Sequence, residues 1–312
     1  MSLLSSVFGA AVRTRNALYD NGTLPVRRLQ QPVISVGNIS VGGAGKTPFL
    51  MMLGDLLRGR GIEFDVLSRG YRRRTKGVAV VDPAGLPVEF GDEPLLIARR
   101  MDVPVIVGED RYEAGVLAEE RFPGRWHLLD DAFQHRGLAR DFDVVLVTPD
   151  DARDRLLPSG KLREPISALK RADAVVLSSG AKPEDFPAAR RIWRVRRGIV
   201  PQDVPPEPVA FCGIARPRQF FRQLKIAGVT PAAEVLFRDH HAYTEQDIAS
   251  LLSIRDQNQA QGFVTTEKDA INLGIFLPAL RPLAVVPVRM ELENATEAMD
   301  AMLAEIAARR AS

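Results

Sequence analysis

Short apolar runs alternate along this chain with stretches whose apolar residues recur at helical spacing. The runs fall at 32–36, 64–67, 103–107, 126–129, 142–147 and 174–177. Between the first two, Phe49, Leu50, Leu53, Leu56 and Leu57 line one face of a helix. Strands alternating with helices predict parallel βαβ units, an α/β fold with a mostly parallel sheet. After a run at 194–197 comes a stretch rich in proline, with Pro201, Pro205, Pro206 and Pro208, which reads as a linker. A second α/β set follows. It has strands at 209–212, 233–237, 262–265 and 283–288, helices near 216–224 and from Thr244, and a closing helix from about Asn294. The expected organisation is therefore an amphipathic N-terminal segment (1–24), a core domain (25–198), a linker (199–208) and a smaller α/β domain (209–312).

Composition narrows the class. A length of 312 residues, 46% of them hydrophobic and 26% charged, supplies both core and solvated surface for about two globular domains. The one cysteine, Cys212, rules out an internal disulfide or a multi-thiolate metal site and suits a reducing compartment. It reads as a small buried hydrophobe. No apolar run reaches the ~18–20 residues of a membrane-spanning helix. The net charge of +3 comes from 42 basic and 39 acidic residues, most of the basic ones arginine, with no basic block interleaved with aromatics. That favours an anionic substrate or membrane surface over nucleic acid. At the N-terminus, Leu3, Leu4, Val7, Phe8, Ala11, Val12 and Leu18 fall near helical spacing beside Arg13 and Arg15. Such a stripe either lies in a lipid headgroup layer or docks on the domain. Its basic residues follow the apolar part, which is the wrong order for a signal peptide.

The first chemical signal follows the first strand. Ser40-Val41-Gly42-Gly43-Ala44-Gly45-Lys46-Thr47 is a phosphate-binding loop between a β-branched strand and a helix. Its glycines allow a tight turn whose N–H groups point at phosphate oxygens, Lys46 reaches the outer phosphates, and Thr47 offers a hydroxyl to Mg²⁺. Ser40 stands where the strict motif has glycine. The second signal is 126–131, an apolar strand ending in Asp130-Asp131, candidates for holding that Mg²⁺, with Asp131 also a candidate for the catalytic centre.

Six further segments complete a pattern: Ser68-Arg69-Gly70-Tyr71, Gly91-Asp92-Glu93-Pro94, Asp130-Asp131-Ala132-Phe133-Gln134-His135, Gly160-Lys161-Leu162-Arg163-Glu164-Pro165, Asp239-His240 and Thr266-Glu267-Lys268-Asp269-Ala270. Together with the phosphate loop, in this order, they resemble the tetraacyldisaccharide 4′-kinase family from the N-terminal helix to about Leu273. The resemblance implies a P-loop kinase on the cytoplasmic face of the inner membrane. It would move the γ-phosphate of ATP, with Mg²⁺, onto the 4′-hydroxyl of an acylated glucosamine disaccharide 1-phosphate in lipid A biosynthesis, with no obligate protein partner.

On that resemblance Asp92 is the expected proton acceptor with His240 assisting, Lys46, Asp131, Arg111 and Arg163 complete the catalytic set, and Glu164 joins Thr47, Asp130 and Asp131 as a metal ligand. Read without it, Asp92 is a helix cap before Glu93-Pro94, and Arg111 and Arg163 are surface ion pairs. His135 reads either as facing the site or as completing a turn, His127 as structural and His241 as solvated. Thr266 and Lys268 reach nucleotide if the two domains close on it. The rival class is a membrane-associated switch ATPase, whose signature lysine is replaced here by Val41. A GTPase would need an Asn-Lys-x-Asp motif, which the chain lacks.

Overall fold

The computed structural model describes residues 3–311, and side chains from residue 4 onward. The chain opens with α1 (Leu3–Asp20). It then builds β1 (Val33–Asn38), α2 (Lys46–Arg58), β2 (Phe64–Ser68), β3 (Ala79–Val80), α3 (Pro87–Phe90), α4 (Asp92–Met101), β4 (Val105–Val107), α5 (Arg111–Arg121), β5 (Trp126–Asp130), β6 (Phe142–Val147), β7 (Ala174–Leu177) and β8 (Ile192–Ile199). Next come β9 (Val209–Cys212), α6 (Pro217–Ile226), β10 (Ala233–Leu236), α7 (Glu245–Gln257), β11 (Phe263–Thr266), α8 (Glu267–Leu273) and β12 (Leu283–Val286). The chain closes with β13 (Val288–Leu292) and α9 (Ala295–Ala311).

Two sheets result. The larger has nine strands in the order β13-β8-β7-β6-β1-β5-β2-β4-β3, and the smaller has four in the order β10-β9-β11-β12. All neighbours are parallel except β3 with β4 and β13 with β8. β1, β2, β6 and β7 are buried along their whole length, as strands with helices on both faces must be. β8 instead alternates, with Trp193 and Val195 inward and Arg194 and Arg196 outward, because its solvated face is uncovered. β1 has β5 on one side and β6 on the other, so the strand order reverses around it. In open α/β sheets the crevice at that reversal, beyond the carboxyl ends of the strands, is where ligands bind.

The C-terminal segment departs from the expected boundary. The smaller sheet ends at Val286, and β13 returns to pair antiparallel with β8, with Val288 opposite Ile199 and Leu292 opposite Val195. α9 then buries Ala298, Met299, Met302 and Ile306 in the same core as Phe49, Leu53 and Phe142 of the large sheet. Residues 288–311 thus belong with the larger unit, and the expected strand 283–288 is two strands in different sheets. At the other end, α1 docks on one face. Ser5 is buried and bonds the carbonyl of Leu156 at 3.2 Å, Asn16 reaches Glu164, and Arg136 bonds Asp20. Leu4 and Val7 of the apolar stripe are 68% and 61% exposed. Leu3's side chain, also part of that stripe, lies outside the described residues.

Candidate active site

The phosphate loop is pinned before it turns. Val41 N donates to Lys161 O at 2.8 Å and Arg163 N donates to Ile39 O at 2.7 Å, so Ser40 lies buried in a short bridge to Leu162. Beyond this anchor Gly42 (φ 115°) and Gly45 (φ 88°) take backbone conformations that cost a side-chain-bearing residue steric strain. Lys46 and Thr47 open α2, whose free N–H groups and dipole favour an anion. Lys46 Nζ is 3.5 Å from Asp131 Oδ1. Val41, 37% exposed, forms the lip of the loop.

The two aspartates at the end of β5 have separate environments. Asp131, itself at φ 49°, accepts from Arg163 Nη1 with both oxygens at 3.1 Å and sits beside Lys46. Burial works to raise its carboxyl, but these two cations outweigh it and hold the group below the usual carboxylate range. Asp130 is 2% exposed. Its Oδ2 accepts from Ser68 Oγ at 3.2 Å, and its Oδ1 has no partner. Burial, with Glu93 and Asp131 close by, pushes this carboxyl up to about 7. Arg111 is 3% exposed and donates to the carbonyls of Gly108 and Glu109, leaving Nε unpartnered; burial pulls it down to about 10. His135 lines the same cavity, and burial beside Arg111 pulls it down to about 4, so it is neutral at pH 7.

Opposite this set, α4 and the smaller sheet meet at a hydrogen-bonded acid–base pair. Asp92 begins α4. Its Oδ1 accepts from Glu93 N at 2.9 Å, and its Oδ2 is 2.7 Å from His240 Nδ1. The cap of α4 is Gly91, which has no side chain to bond, so the expected capping role of Asp92 gives way to a first-turn position in which one oxygen takes the next residue's N–H and the other takes His240. Asn272 Nδ2 also donates to Oδ2 at 3.3 Å. Lys268 Nζ lies 3.2 Å from His240 Nε2 and 3.1 Å from Glu93 Oε1. An ammonium only donates, so Nε2 accepts and Nδ1 carries the proton given to Asp92. Burial opposes ionisation of Asp92, but the His240 bond and the Lys268 charge win and keep it below the usual carboxylate range. Burial likewise works to lower Lys268, and Glu93, Asp92 and Asp239 outweigh it. His240 sits at φ 58°, fixed by its N–H to Gly213 O at 3.1 Å. Arg72 clamps the same turn by donating to the carbonyls of Asp239 and His240.

These groups line one cavity of about 880 Å³ whose walls include Lys46, Asp92, Asp131, Arg163, His240 and Lys268. A second, of about 500 Å³, lies on the far side of the phosphate loop and shares Gly43, Ala44, Arg197 and Arg216 with the first. Thr47, Asp130, Arg111 and Thr266 also reach the larger cavity. Glu164 does not. Its carboxylate accepts from Arg171 (2.9 Å), Asn16 (2.8 Å) and Gln134 (3.2 Å) beneath α1, so the expected metal role gives way to a structural one. His241 is not solvated as expected. It bonds Asp247 at 3.0 Å and stacks on Phe237. His127 is the structural residue expected, fully buried and 2.9 Å from Asp65. Sequence reasoning missed the link from Lys268 and Asn272 to the Asp92–His240 pair. Their spacing of four on α8 puts both on one helical face, which was the available signal.

Comparison with known proteins agrees with this geometry. The model of the tetraacyldisaccharide-1-P 4′-kinase family matches residues 1–307. A tetraacyldisaccharide 4′-kinase of Koribacter versatilis is 50% identical over 314 residues, covering 97% of this chain and 98% of that one. The enzyme of the same name from Aquifex aeolicus is 39% identical over 287 residues, covering 86% and 88%. The crystal structure of the "apo" form of LpxK from Aquifex aeolicus in complex with ATP superposes with a TM-score of 0.78 at 34% identity, covering 97% of both chains. With a family match running almost end to end and a relative of that name 50% identical over nearly the whole chain, the chain belongs to the tetraacyldisaccharide-1-phosphate 4′-kinase family.

Proposed function

We propose that this protein transfers the γ-phosphate of ATP to the 4′-hydroxyl of a tetraacyldisaccharide 1-phosphate, forming the 4′-phosphorylated lipid A precursor. The observation that carries the reading is that a phosphate loop with its lysine and a carboxylate–imidazole pair line the same cavity. A switch ATPase needs the first and has no use for the second. Residues 42–45 and the start of α2 cradle the phosphates, and Lys46 neutralises the outer ones. Asp131 holds Lys46 and Arg163 in place between them. Arg163 and Arg111 offset charge on the oxygens of the transferring phosphoryl group.

Mg²⁺ fits the residues present. The unpartnered, buried Oδ1 of Asp130 is a hard oxygen ligand whose charge wants a cation, and Thr47 supplies a hydroxyl. Among the described residues no three acids, histidines or cysteines form a cage, so such an ion would share its shell with phosphate oxygens and water, the usual arrangement for Mg²⁺. Bound there, it would neutralise phosphate charge.

The hydroxyl proton goes to the Asp92–His240 pair. Asp92 has its two oxygens committed to Glu93 N and His240 Nδ1, so the outward atom of the pair is His240 Nε2. The acceptor hydroxyl takes the place that Lys268 occupies there. Asp92 then stabilises the imidazolium that forms. At the membrane, α1 presents the exposed Leu4 and Val7 to an anionic lipid surface, with Arg13 and Arg15 on the same helix although Arg15 also bonds the Gln134 carbonyl, while among the described residues no helix is long and apolar enough to cross a bilayer.

The test is transfer of label from [γ-³²P]ATP to a detergent-solubilised tetraacyldisaccharide 1-phosphate, with Lys46→Ala as blank. Labelled lipid from the wild type alone supports the kinase. ATP hydrolysis without labelled lipid refutes it in favour of a switch ATPase.

A further inference from the structure

The throat where the two cavities meet contains a cation that no carboxylate among the described residues neutralises. Arg197 lies on β8, the strand by which the chain leaves the large sheet, and its side chain is largely enclosed. Its one bond is a long contact from Nη1 to the neutral Gln219 Oε1 at 3.4 Å, and Nε has no partner. Among the described residues no carboxylate pairs with it. Arg163, which is buried to a similar degree, has Asp131, and Arg171 has Glu164. The charge that does act on Arg197 makes matters worse. Arg216 lies on the same throat, bonded to Thr148 Oγ1 at 3.2 Å and only loosely to the exposed Asp150 at 3.5 Å. Burial, and then Arg216, pull the Arg197 guanidinium below the ordinary arginine range. An enclosed guanidinium with no carboxylate partner, repelled by the part-exposed Arg216 beside it, is a standing cost that a matching anion would remove.

Their position says which anion. Arg197 Nη1 is 3.8 Å from where a Cβ on Gly45 would stand, so the guanidinium reaches over the phosphate loop itself. Gly43 is equally close-packed on the other side, with Ala215 Cβ 3.2 Å from its own would-be Cβ. Lys46 serves the outer phosphates in the large cavity; Arg197 stands at the entrance to the smaller one. We propose that Arg197 is a ligand of the nucleotide's inner phosphates, gripping the α/β portion of the polyphosphate as it passes between the two cavities, with Arg216 as its outer companion. A planar guanidinium fork suits two phosphate oxygens at once. The assignment rests on the nucleotide half of the reading above and is independent of the lipid acceptor.

The experiment uses the full chain without acceptor, comparing wild type, Arg197→Met and Arg197→Lys. Thermal melting is measured with and without ADP, and ADP affinity by calorimetry. Loss of a charge-assisted phosphate contact should weaken ADP binding about 10- to 100-fold in Arg197→Met, with partial recovery in Arg197→Lys. The ligand-free variant should melt no lower than wild type, because an unpaired enclosed charge has been removed, while the rise in melting temperature with ADP shrinks. A ligand-free Arg197→Met that melts well below wild type would make Arg197 a structural residue and overturn the inference. So would ADP affinity within threefold of wild type. Wild type that binds no ADP would instead overturn the nucleotide reading of the cleft.

Discussion

Replacing Asp92 by asparagine keeps the shape of the side chain and removes its charge. In the resting state the amide can still accept one hydrogen bond, from Glu93 N or from His240, but not both as a carboxylate does. The larger effect comes when the imidazole gains a proton. In the wild type the new cation lies 2.7 Å from a carboxylate that is 7% exposed. At the effective dielectric of such a site, a charge pair about 4 Å apart is worth ~4 kcal/mol, and a neutral hydrogen bond returns ~1. The net loss of ~3 kcal/mol corresponds to a drop in kcat of roughly 10²- to 10³-fold. KM for ATP should stay within about twofold, since Lys46 and the phosphate loop are untouched. Because Asp92 is held below its usual range, the stability it contributes is present above about pH 4 and is lost as pH falls through its folded value, so the melting difference between wild type and variant should narrow in acid. The assay is steady-state phosphoryl transfer with melting curves from pH 3 to 8. A turnover within threefold of wild type would leave Asp92 as a first-turn acid of α4 and remove the acid–base pair from the mechanism.

Three more expectations follow from particular contacts. Asp130→Asn should stabilise the magnesium-free protein by about 1–3 kcal/mol near pH 8, as an amide carries no buried charge; because the wild-type carboxyl is raised to about 7, the advantage should fade as pH falls below that value, which melting curves would show. Gly45→Ala puts a Cβ 2.6 Å from Met290 Cε at φ 88°, so ADP affinity measured by calorimetry should fall at least tenfold, and unchanged affinity would mean the loop is rebuilt on binding. Leu4→Ser with Val7→Ser removes exposed apolar surface from α1 and should cut sedimentation with anionic vesicles about tenfold while leaving melting unchanged; equal sedimentation would place membrane contact elsewhere.

The phosphate loop and the acidic strand end were legible in the sequence because they are local: strand, tight turn and helix follow one another, and each residue's job is set by its neighbours. The Asp92–His240 pair joins residues 148 apart, so no spacing announces it, and only the resemblance to a family brought the two together. Glu164 was misread for the opposite reason. It follows Arg163, which does reach the site, but the chain turns between them and the carboxylate ends beneath α1. The end of the smaller unit was invisible because one residue, Pro287, separates β12 from β13, and an apolar run of six residues looks the same whether it stays in one sheet or crosses to another. Arg197 gave no signal, since an arginine in an alternating strand reads as solvated.

The return of β13 and α9 to the large sheet also fixes an order of assembly on the ribosome. The four-strand unit is contiguous from Val209 to Val286, and all its strands are synthesised before β13 and α9. The nine-strand unit begins first and finishes last. Until Met299, Met302 and Ile306 arrive, the apolar faces of α2 and β6 lack the helix that covers them. A nascent chain stalled before Val288 therefore exposes the edge of β8 and an open core to whatever is nearby, although the loop, the acids and the histidine of the site have all been synthesised.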